Sequence, residues 1–261
     1  MKSTVNAIIS QAVSVLQETK TILLDVVFEI NVKRTKVANH GDYATNLALI
    51  LAKPCRQSPQ QLARLFVQTF SAHPLIERTE VAGPGFINFF ISSVARTQII
   101  ENILMKGLVF GFSDADLGIC WADVSAYSIE PPHGDTIQYA YARISSLFRQ
   151  VNASDLRLNE AVGLLYIHLL VASHEVTLIS LLGRYKEVVD TAVSRRRPHL
   201  IADYLHELAK SLHSYYNAIP LLCQPAELRN ARLCLLKSVG YVLHNGVRLL
   251  GVSFPESVCD V

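Results

Sequence analysis

The spacing of hydrophobic and polar residues changes part-way along this chain. Between residues 8 and 16, apolar side chains recur at the interval of one helical face, which predicts a first helix over about residues 4–19. Residues 26–32 are rich in β-branched side chains and favour a strand. Residues 80–92 predict another strand, interrupted by a Gly-Pro-Gly turn at residues 83–85. Helices and strands therefore mix in this first part.

Two further helices are predicted between these strands. Asp42 is a candidate N-cap for a helix through residues 43–52, which Pro54 would end. Ser58 followed by Pro59 is a typical helix start, with proline at the first helical position. The first part is therefore predicted to be an α/β (α+β) domain.

From residue 135 onward the pattern is helical throughout. Pro198 stands where a helix start tolerates proline, and Gly251 followed by Pro255 is typical of a helix end. This part is predicted to be an all-α helical bundle of about five antiparallel helices. The predicted helices cover residues 137–150, 156–172, 176–193, 198–217 and 226–250.

Charge separates the two predicted domains. Residues 1–110 hold eleven Lys and Arg against seven Asp and Glu, and residues 136–261 hold thirteen against ten. Residues 111–135 hold five acidic residues and no basic one. We therefore predict a mixed domain over 1–110, an acidic linker over 111–134 and a helical bundle over 135–261. The mildly basic lobes favour contacts with phosphate, and the linker does not.

Several classes of protein are disfavoured by composition. The longest uncharged apolar stretch, residues 161–173, falls short of the roughly 20 residues that a membrane span requires, so we expect a cytoplasmic protein that does not cross a membrane. The five cysteines form no CxxC pair. His199, His206 and His213 are seven residues apart, a helical rise of about 10.5 Å, so they cannot share one metal ion. We expect neither a metal nor another cofactor.

Three motifs in the first part carry a resemblance to a known family. Residues 40–49 read HGDYATNLAL, residues 51–54 read LAKP, and residues 81–90 read VAGPGFINFF. These motifs resemble the N-terminal tRNA-elbow domain of arginyl-tRNA synthetases.

Three more motifs follow in the second part. Residues 138–144 read QYAYARI, residues 213–217 read HSYYN, and residues 242–252 read VLHNGVRLLGV. They resemble the helical DALR anticodon-binding domain of the same family. The resemblance implies that tRNA, in particular arginine tRNA, is the partner.

The catalytic domain of that family does not fit into the linker. In the family an ATP-binding Rossmann domain lies between the two flanking domains, and such a domain needs on the order of 100 residues or more. Residues 124–136 resemble its ATP-binding turn in part, but Glu130 and Asp135 replace glycines and Thr136 replaces its second histidine. The likeness is either chance or the remnant of a deletion. Under both interpretations the segment binds no ATP, and no catalytic residue is assigned.

The resemblance implies a tRNA-elbow site on the strand that follows Gly85. In the family, the residues that match Phe86 and Asn88 stack on and hydrogen-bond an unpaired D-loop base. Strand alternation places Phe86, Asn88 and Phe90 on one face, which predicts that Asn88 is exposed. The alternative is that Phe86 belongs to the core and Asn88 to a turn.

Aromatic and basic residues mark candidate contacts in the helical part. Aromatic rings and arginines suit unstacked anticodon bases, although some of these side chains must also serve the core. Arg195, Arg196 and Arg197 precede a predicted helix start and are phosphate-binding candidates, or else a solvated basic loop. The anticodon-side candidates are Tyr139, Tyr141, Arg143, Tyr215, Tyr216 and Asn217.

These patterns favour a non-catalytic, arginyl-tRNA synthetase-like protein that binds tRNA through its elbow and anticodon regions. A tRNA-modifying enzyme is a candidate recipient of the bound tRNA. One alternative is that the chain supplies the tRNA-binding part of a split ligase whose catalytic chain is separate. A second alternative is a helical protein-interaction module that has lost tRNA binding.

Overall fold

The computed structural model describes residues 2–22, 28–35, 40–70, 73–112, 133–154, 156–222 and 225–251. The chain divides into two compact units, with the division between Ala95 and Arg96.

The first unit combines helices with one small sheet. Its four strands are antiparallel in the order β1-β2-β4-β3. This mixture confirms the predicted fold class for the N-terminal part. The elements described are α1 (Lys2–Glu18), β1 (Val32–Arg34), β2 (Tyr43–Thr45), α2 (Leu47–Leu51), α3 (Pro59–Thr69), β3 (Ile76–Ala82) and β4 (Phe86–Ile91).

Helix α3 covers the inner face of the sheet. The side chain of Ser58 accepts a hydrogen bond from the backbone N–H of Gln61, and Pro59 occupies the first turn, so the predicted helix start is confirmed. Apolar residues of α3, among them Phe66, share one core with Ile87 and Phe89 of β4. The opposite face of β4 is left for other contacts.

The helix predicted from residue 43 is wrong at its start. Residues Tyr43–Thr45 form strand β2, and only Leu47–Leu51 is helical. The Asp42 carboxylate accepts the backbone N–H of Ile91 at 2.8 Å, so it ties two strands together and does not cap a helix. The buried side chains of Tyr43 and Thr45 alternate with that of Ala44, as in a strand. Three residues are too few for this alternation to be distinguished in the sequence from a helix start.

Helices joined by turns make up the second unit, with no strand among the residues that the structure describes, which confirms the predicted fold class of the C-terminal part. Two of the predicted helices are each divided: residues 156–172 into α6 and a 3-10 turn, and residues 176–193 into α7 and α8 at Gly183 and Arg184. The elements are α4 (Ser93–Lys106), a 3-10 turn (Gly107–Val109), α5 (His133–Asn152), α6 (Glu160–Leu165), a second 3-10 turn (Ile167–Leu169), α7 (Ser173–Leu182), α8 (Tyr185–Arg195), α9 (His199–Ala218) and α10 (Ala226–Leu249).

The boundary between the units lies fifteen residues before the predicted one at residue 110. Ile100 and Ile103 of α4 are fully buried in the core of the helical unit. The side-chain amide of Asn245 donates hydrogen bonds to the carbonyls of Gly107 and Phe110, at 2.9 and 3.0 Å. Apolar burial and these bonds therefore hold residues 96–112 to the helical unit.

Several predictions lie outside the described residues. Most of the acidic linker and of the partial ATP-binding resemblance falls within residues 113–132. Within the part of the chain that is described, no helix is long and apolar enough to cross a membrane. The same residues contain no cluster of three or more histidine, cysteine or acidic side chains suited to a metal ion.

Candidate nucleic-acid interface

A glycine turn presents strand β4 next to the start of α3. Gly83 and Gly85 both have positive φ, at 53° and 139°. A Cβ atom added to Gly85 would lie 2.8 Å from the Cβ of Pro59. The Gln60 side chain donates a hydrogen bond to the Gly83 carbonyl at 3.2 Å. Glycine is therefore required at residue 85 both for its backbone conformation and for this close approach.

The two elbow candidates differ in exposure. Phe86 is 41% exposed, so its ring is accessible for stacking, and the alternative that it belongs to the core does not fit. Asn88 is only 5% exposed, which contradicts its predicted exposure. It pairs with Ala44 on one side and Glu80 on the other, between Phe86 and Phe90 of its own strand. These neighbouring residues therefore cover the Asn88 side chain, although it lies on the outer face of the sheet.

Four residues of α5 and α9 come together in the helical unit. The Arg143 guanidinium lies over the ring of Tyr216, 4.4 Å from its centroid, and 5.7 Å from that of Tyr139. An Arg143 nitrogen contacts His213 Nδ1 at 3.4 Å, and the rings of His213 and Tyr139 are 5.2 Å apart. Tyr216 donates its hydroxyl to the Arg143 carbonyl at 3.3 Å. We call these four residues the Arg143 cluster.

The Arg143 cluster offers one aromatic face to solvent. Tyr139 is 60% exposed and lies at its edge. Burial and the cation of Arg143 lower the pKa of His213, against the effect of its hydrogen bond to the Thr136 carbonyl. His213 belongs to the sequence motif at residues 213–217 but was not predicted to contribute. Its spacing of three residues from Tyr216 on α9 is the signal that indicates a shared face.

Two of the tyrosines predicted on the anticodon side are core residues. Tyr141 is 3% exposed and Tyr215 is fully buried, so neither offers a face to RNA. Burial raises the pKa of Tyr215 far above its ordinary value, and the neighbouring Glu175 carboxylate raises it further. Asn217, by contrast, is exposed in the last turn of α9. Helical spacing alone did not distinguish these positions.

The three consecutive arginines form an exposed junction between helices. Arg195 ends α8, and Arg196 caps it in a left-handed conformation at φ 52°. Arg197 precedes Pro198, the residue before α9, and all three arginines are exposed. The geometry fits the predicted basic loop, while phosphate binding there stays a prediction.

Comparison with known proteins covers both units. The family model described as "Arginyl tRNA synthetase N terminal domain" matches residues 2–91, and the "DALR anticodon binding domain" model matches residues 137–258. An arginine–tRNA ligase of Legionella pneumophila (strain Corby) is 55% identical over 122 residues, which are 47% of this chain and 21% of that protein. The corresponding ligase of Halorhodospira halophila is 46% identical over 121 residues, 46% of this chain and 21% of the relative.

The chain belongs to the arginyl-tRNA synthetase family.

A solved structure agrees on the fold. The arginyl-tRNA synthetase of Thermus thermophilus aligns with a TM-score of 0.60 and 12% identity, over 98% of this chain and 100% of that one. The matched region spans about a fifth of the length of the curated relatives. Phe86 and Asn88 lie in the N-terminal family domain, whereas the Arg143 cluster and Arg195–Arg197 lie in the anticodon-binding domain.

Proposed function

We propose that this protein is a non-catalytic member of the arginyl-tRNA synthetase family that binds tRNA. The first unit would contact the elbow through Phe86 and Gly85, and the helical unit the anticodon region through the Arg143 cluster. Arginine tRNA is the expected partner because the N-terminal match is named for arginyl-tRNA synthetase and the similar relatives are arginine–tRNA ligases. We place the protein in the cytoplasm, where it would present tRNA to a modifying enzyme or to a separate synthetase chain.

The interval between the matched domains carries this proposal. Residues 92–136 separate the two matches, and α4 with the following 3-10 turn occupies residues 93–109, of which residues 96–109 belong to the helical unit. That leaves residues 113–132 outside the described fold, against the roughly 100 residues that a nucleotide-binding domain needs. Glu130 lies within this interval where the ATP-binding motif of the family has glycine. A carboxylate there would repel a polyphosphate.

A split ligase is the second candidate. The relatives that match so closely are named arginine–tRNA ligases. In a split enzyme this chain would supply the tRNA contacts, and a separate chain would activate arginine.

One pair of assays on the purified protein tests these functions. We expect a mobility shift with an arginine tRNA transcript and no arginine-dependent ATP–pyrophosphate exchange. A tRNA of another specificity, with a different D-loop and anticodon, is the control and should bind more weakly.

The outcomes separate the candidates. Exchange by the chain alone, free of contaminating synthetase, would show that it is an enzyme. Exchange or charging that arises only on mixing with a catalytic chain would identify a split ligase. Absence of any tRNA shift would leave the helical unit as a protein-interaction module.

A further inference from the structure

The outer face of the sheet carries more than the single exposed aromatic ring of Phe86. In the pairing of β3 with β4, Ala82 lies opposite Phe86, Glu80 opposite Asn88 and Arg78 opposite Phe90. Residues directly opposite each other on neighbouring strands project to the same face. Arg78 and Phe90 therefore share a surface with Phe86, at the other end of the strand.

An irregularity in β3 lies directly before Arg78. The pairing shifts by one residue between Ile76, opposite Ile91, and Arg78, opposite Phe90. Regular pairing would put Glu77 opposite Ile91, which is buried in the core. The extra residue instead puts Ile76 there, whereas Arg78 keeps the register of the rest of β3 and lies on the outer face in either case. Bulges of this kind are over-represented next to functional sites.

The Arg78 side chain is fixed in position and half exposed. Its Cζ atom lies 3.6 Å from the centroid of the Phe90 ring. Its Nε donates to the Glu80 carboxylate at 2.8 Å, and Nη1 lies 3.6 Å from a carboxylate oxygen of Glu77. The side chain remains 51% exposed. One side of the guanidinium thus rests on an aromatic ring while the other side is accessible.

We propose that Arg78, supported by Phe90, is a second base-stacking position on this face, for an unpaired nucleotide of the same tRNA. The proposal rests on the proposed function, because it adds to the elbow site. Guanidinium planes and aromatic rings are the groups on which splayed RNA bases stack. A guanidinium already ordered by Phe90 and Glu80 loses less conformational entropy on binding than a free arginine does.

The two positions are too far apart for one base. Phe86 and Phe90 are separated by four residues of strand, or about 13 Å at 3.3 Å per residue. They therefore contact two different nucleotides. Glu80 lies between them, and its carboxylate can only accept hydrogen bonds, which favours a base edge that carries N–H donors over one that carries acceptors.

Variants of the full-length chain test the proposal with an arginine tRNA transcript. Arg78→Ala and Phe86→Ala should each weaken tRNA binding roughly tenfold, since each would remove one stacked base. Arg78→Lys keeps the charge but not the plane, and should bind nearly as weakly as Arg78→Ala. Arg64 provides the control, because it is exposed on α3, the helix that packs against the inner face of the sheet, whereas Arg78 lies on the outer face. Arg64→Ala should bind tRNA nearly as tightly as the wild type. Circular dichroism and thermal unfolding check that each variant is folded.

Abasic transcripts then assign the nucleotides. Single abasic substitutions are placed in turn at the unpaired D-loop positions of the transcript. One substitution should abolish the effect of Phe86→Ala, and a different one the effect of Arg78→Ala. If one abasic position abolishes both effects, or if Arg78→Lys binds like the wild type, the second stacking position does not exist, although the proposed function stands. If the wild-type protein binds no tRNA, both proposals fail together.

Discussion

At the scale of single residues, the exposed groups on both candidate surfaces are supported by neighbours. Tyr139 lies next to His213, and Arg143 rests on Tyr216, just as Arg78 rests on Phe90. Ordering of a long side chain before binding lowers the entropy cost of the complex. If these surfaces bind RNA as proposed, the supporting residue should therefore affect binding even where it does not touch RNA.

His213 supports Arg143 only while it is neutral. Arginine can only donate, so the contact from Arg143 makes Nδ1 of His213 the acceptor, and Nε2 donates to the Thr136 carbonyl at 3.4 Å. A proton on Nδ1 would remove this acceptor and place two cations side by side. Burial, the larger cause, and Arg143 accordingly lower the pKa of His213 from 6.5.

This lowered pKa predicts that the protein loses stability as the pH falls below about 6.5. Below that pH the unfolded chain binds a proton that the folded His213 does not, so the free energy of unfolding rises with pH between the two pKa values. His213→Gln should flatten the dependence measured by urea unfolding from about pH 7.5 to 5.5. Burial also lowers the pKa of His244, so part of the slope should remain. An unchanged slope in a cooperatively folding variant would contradict this prediction.

Sequence patterns predicted which faces these residues share better than they predicted burial. Alternation correctly placed Phe86 and Asn88 together, but the covering of Asn88 depends on β2 as well as β3, and β2 is far from β4 in sequence. Tyr141 and Tyr215 adjoin solvent-facing positions on their helices yet point into the core. Whether such residues are buried depends on the neighbouring helices, and the sequence of one helix does not show where those neighbours lie.

At the scale of elements, a buried ion pair joins α7 to α10. Arg232 Nε donates to the Glu175 carboxylate at 2.8 Å, with side-chain exposures of 9% and 1%. The second carboxylate oxygen of Glu175 accepts the backbone N–H of Ala172 at 2.9 Å, at the start of α7. An Arg232 nitrogen also lies 3.5 Å from the Pro220 carbonyl. Protein groups thus provide each buried charge with the hydrogen bonds that water would provide at the surface.

Removal of one member of this pair should destabilise the helical unit strongly. Arg232→Met leaves the Glu175 carboxylate buried without its cation, a change that costs about 3–5 kcal/mol. Arg184→Met is the matched control, because Arg184 pairs with Glu207 at the same 2.8 Å but near the surface. Loss of an exposed pair costs about 0–1 kcal/mol. Urea unfolding measures the free energy of unfolding of both variants. Equal losses of stability would contradict the prediction that breaking the buried pair is the more destabilising change.

Elements themselves were predictable where the periodic pattern was long. Helices α1, α5, α9 and α10 lie close to their predicted ranges, because ten or more residues repeat one apolar face. The three-residue strand β2 was too short to distinguish from a helix start. Helices α7 and α8 continue one apolar pattern through Gly183, so no change of period indicated the break.

At the scale of the whole molecule, two mildly basic stretches of sequence, residues 1–110 and 136–261, flank an acidic segment. Residues 111–135 hold five acidic residues and no basic one, so phosphate contacts are expected from the stretches on either side. The division after Ala95, with most of α4 in the helical unit, became visible only from packing. The sequence placed that boundary at residue 110 because the hydrophobic pattern of α4 does not say which core it joins.

We predict that tight tRNA binding needs both units. Under the proposed function each unit would contact a few phosphates and one or two bases, so each alone should bind weakly, while their connection would make the second contact intramolecular. The helical fragment should begin at Ser93, since a start at Gly134 would remove Ile100 and Ile103 from its core. Filter binding over a range of salt concentrations compares this fragment, residues 1–95, which keep Ala95 in the first core, an equimolar mixture of the two, and the full chain.

The full chain should bind more tightly than either fragment or their mixture, and its affinity should fall more steeply with salt, because it releases the counterions of both contact regions. Each fragment must first show cooperative unfolding, so that weak binding is not a failure to fold. A helical fragment that binds as tightly as the full chain, with the same salt slope, would show that the first unit does not contact tRNA. The mixture tests the role of the covalent link. If the mixture binds as tightly as the full chain, and each fragment alone binds more weakly, both units contact tRNA but the link between them does not add to the affinity.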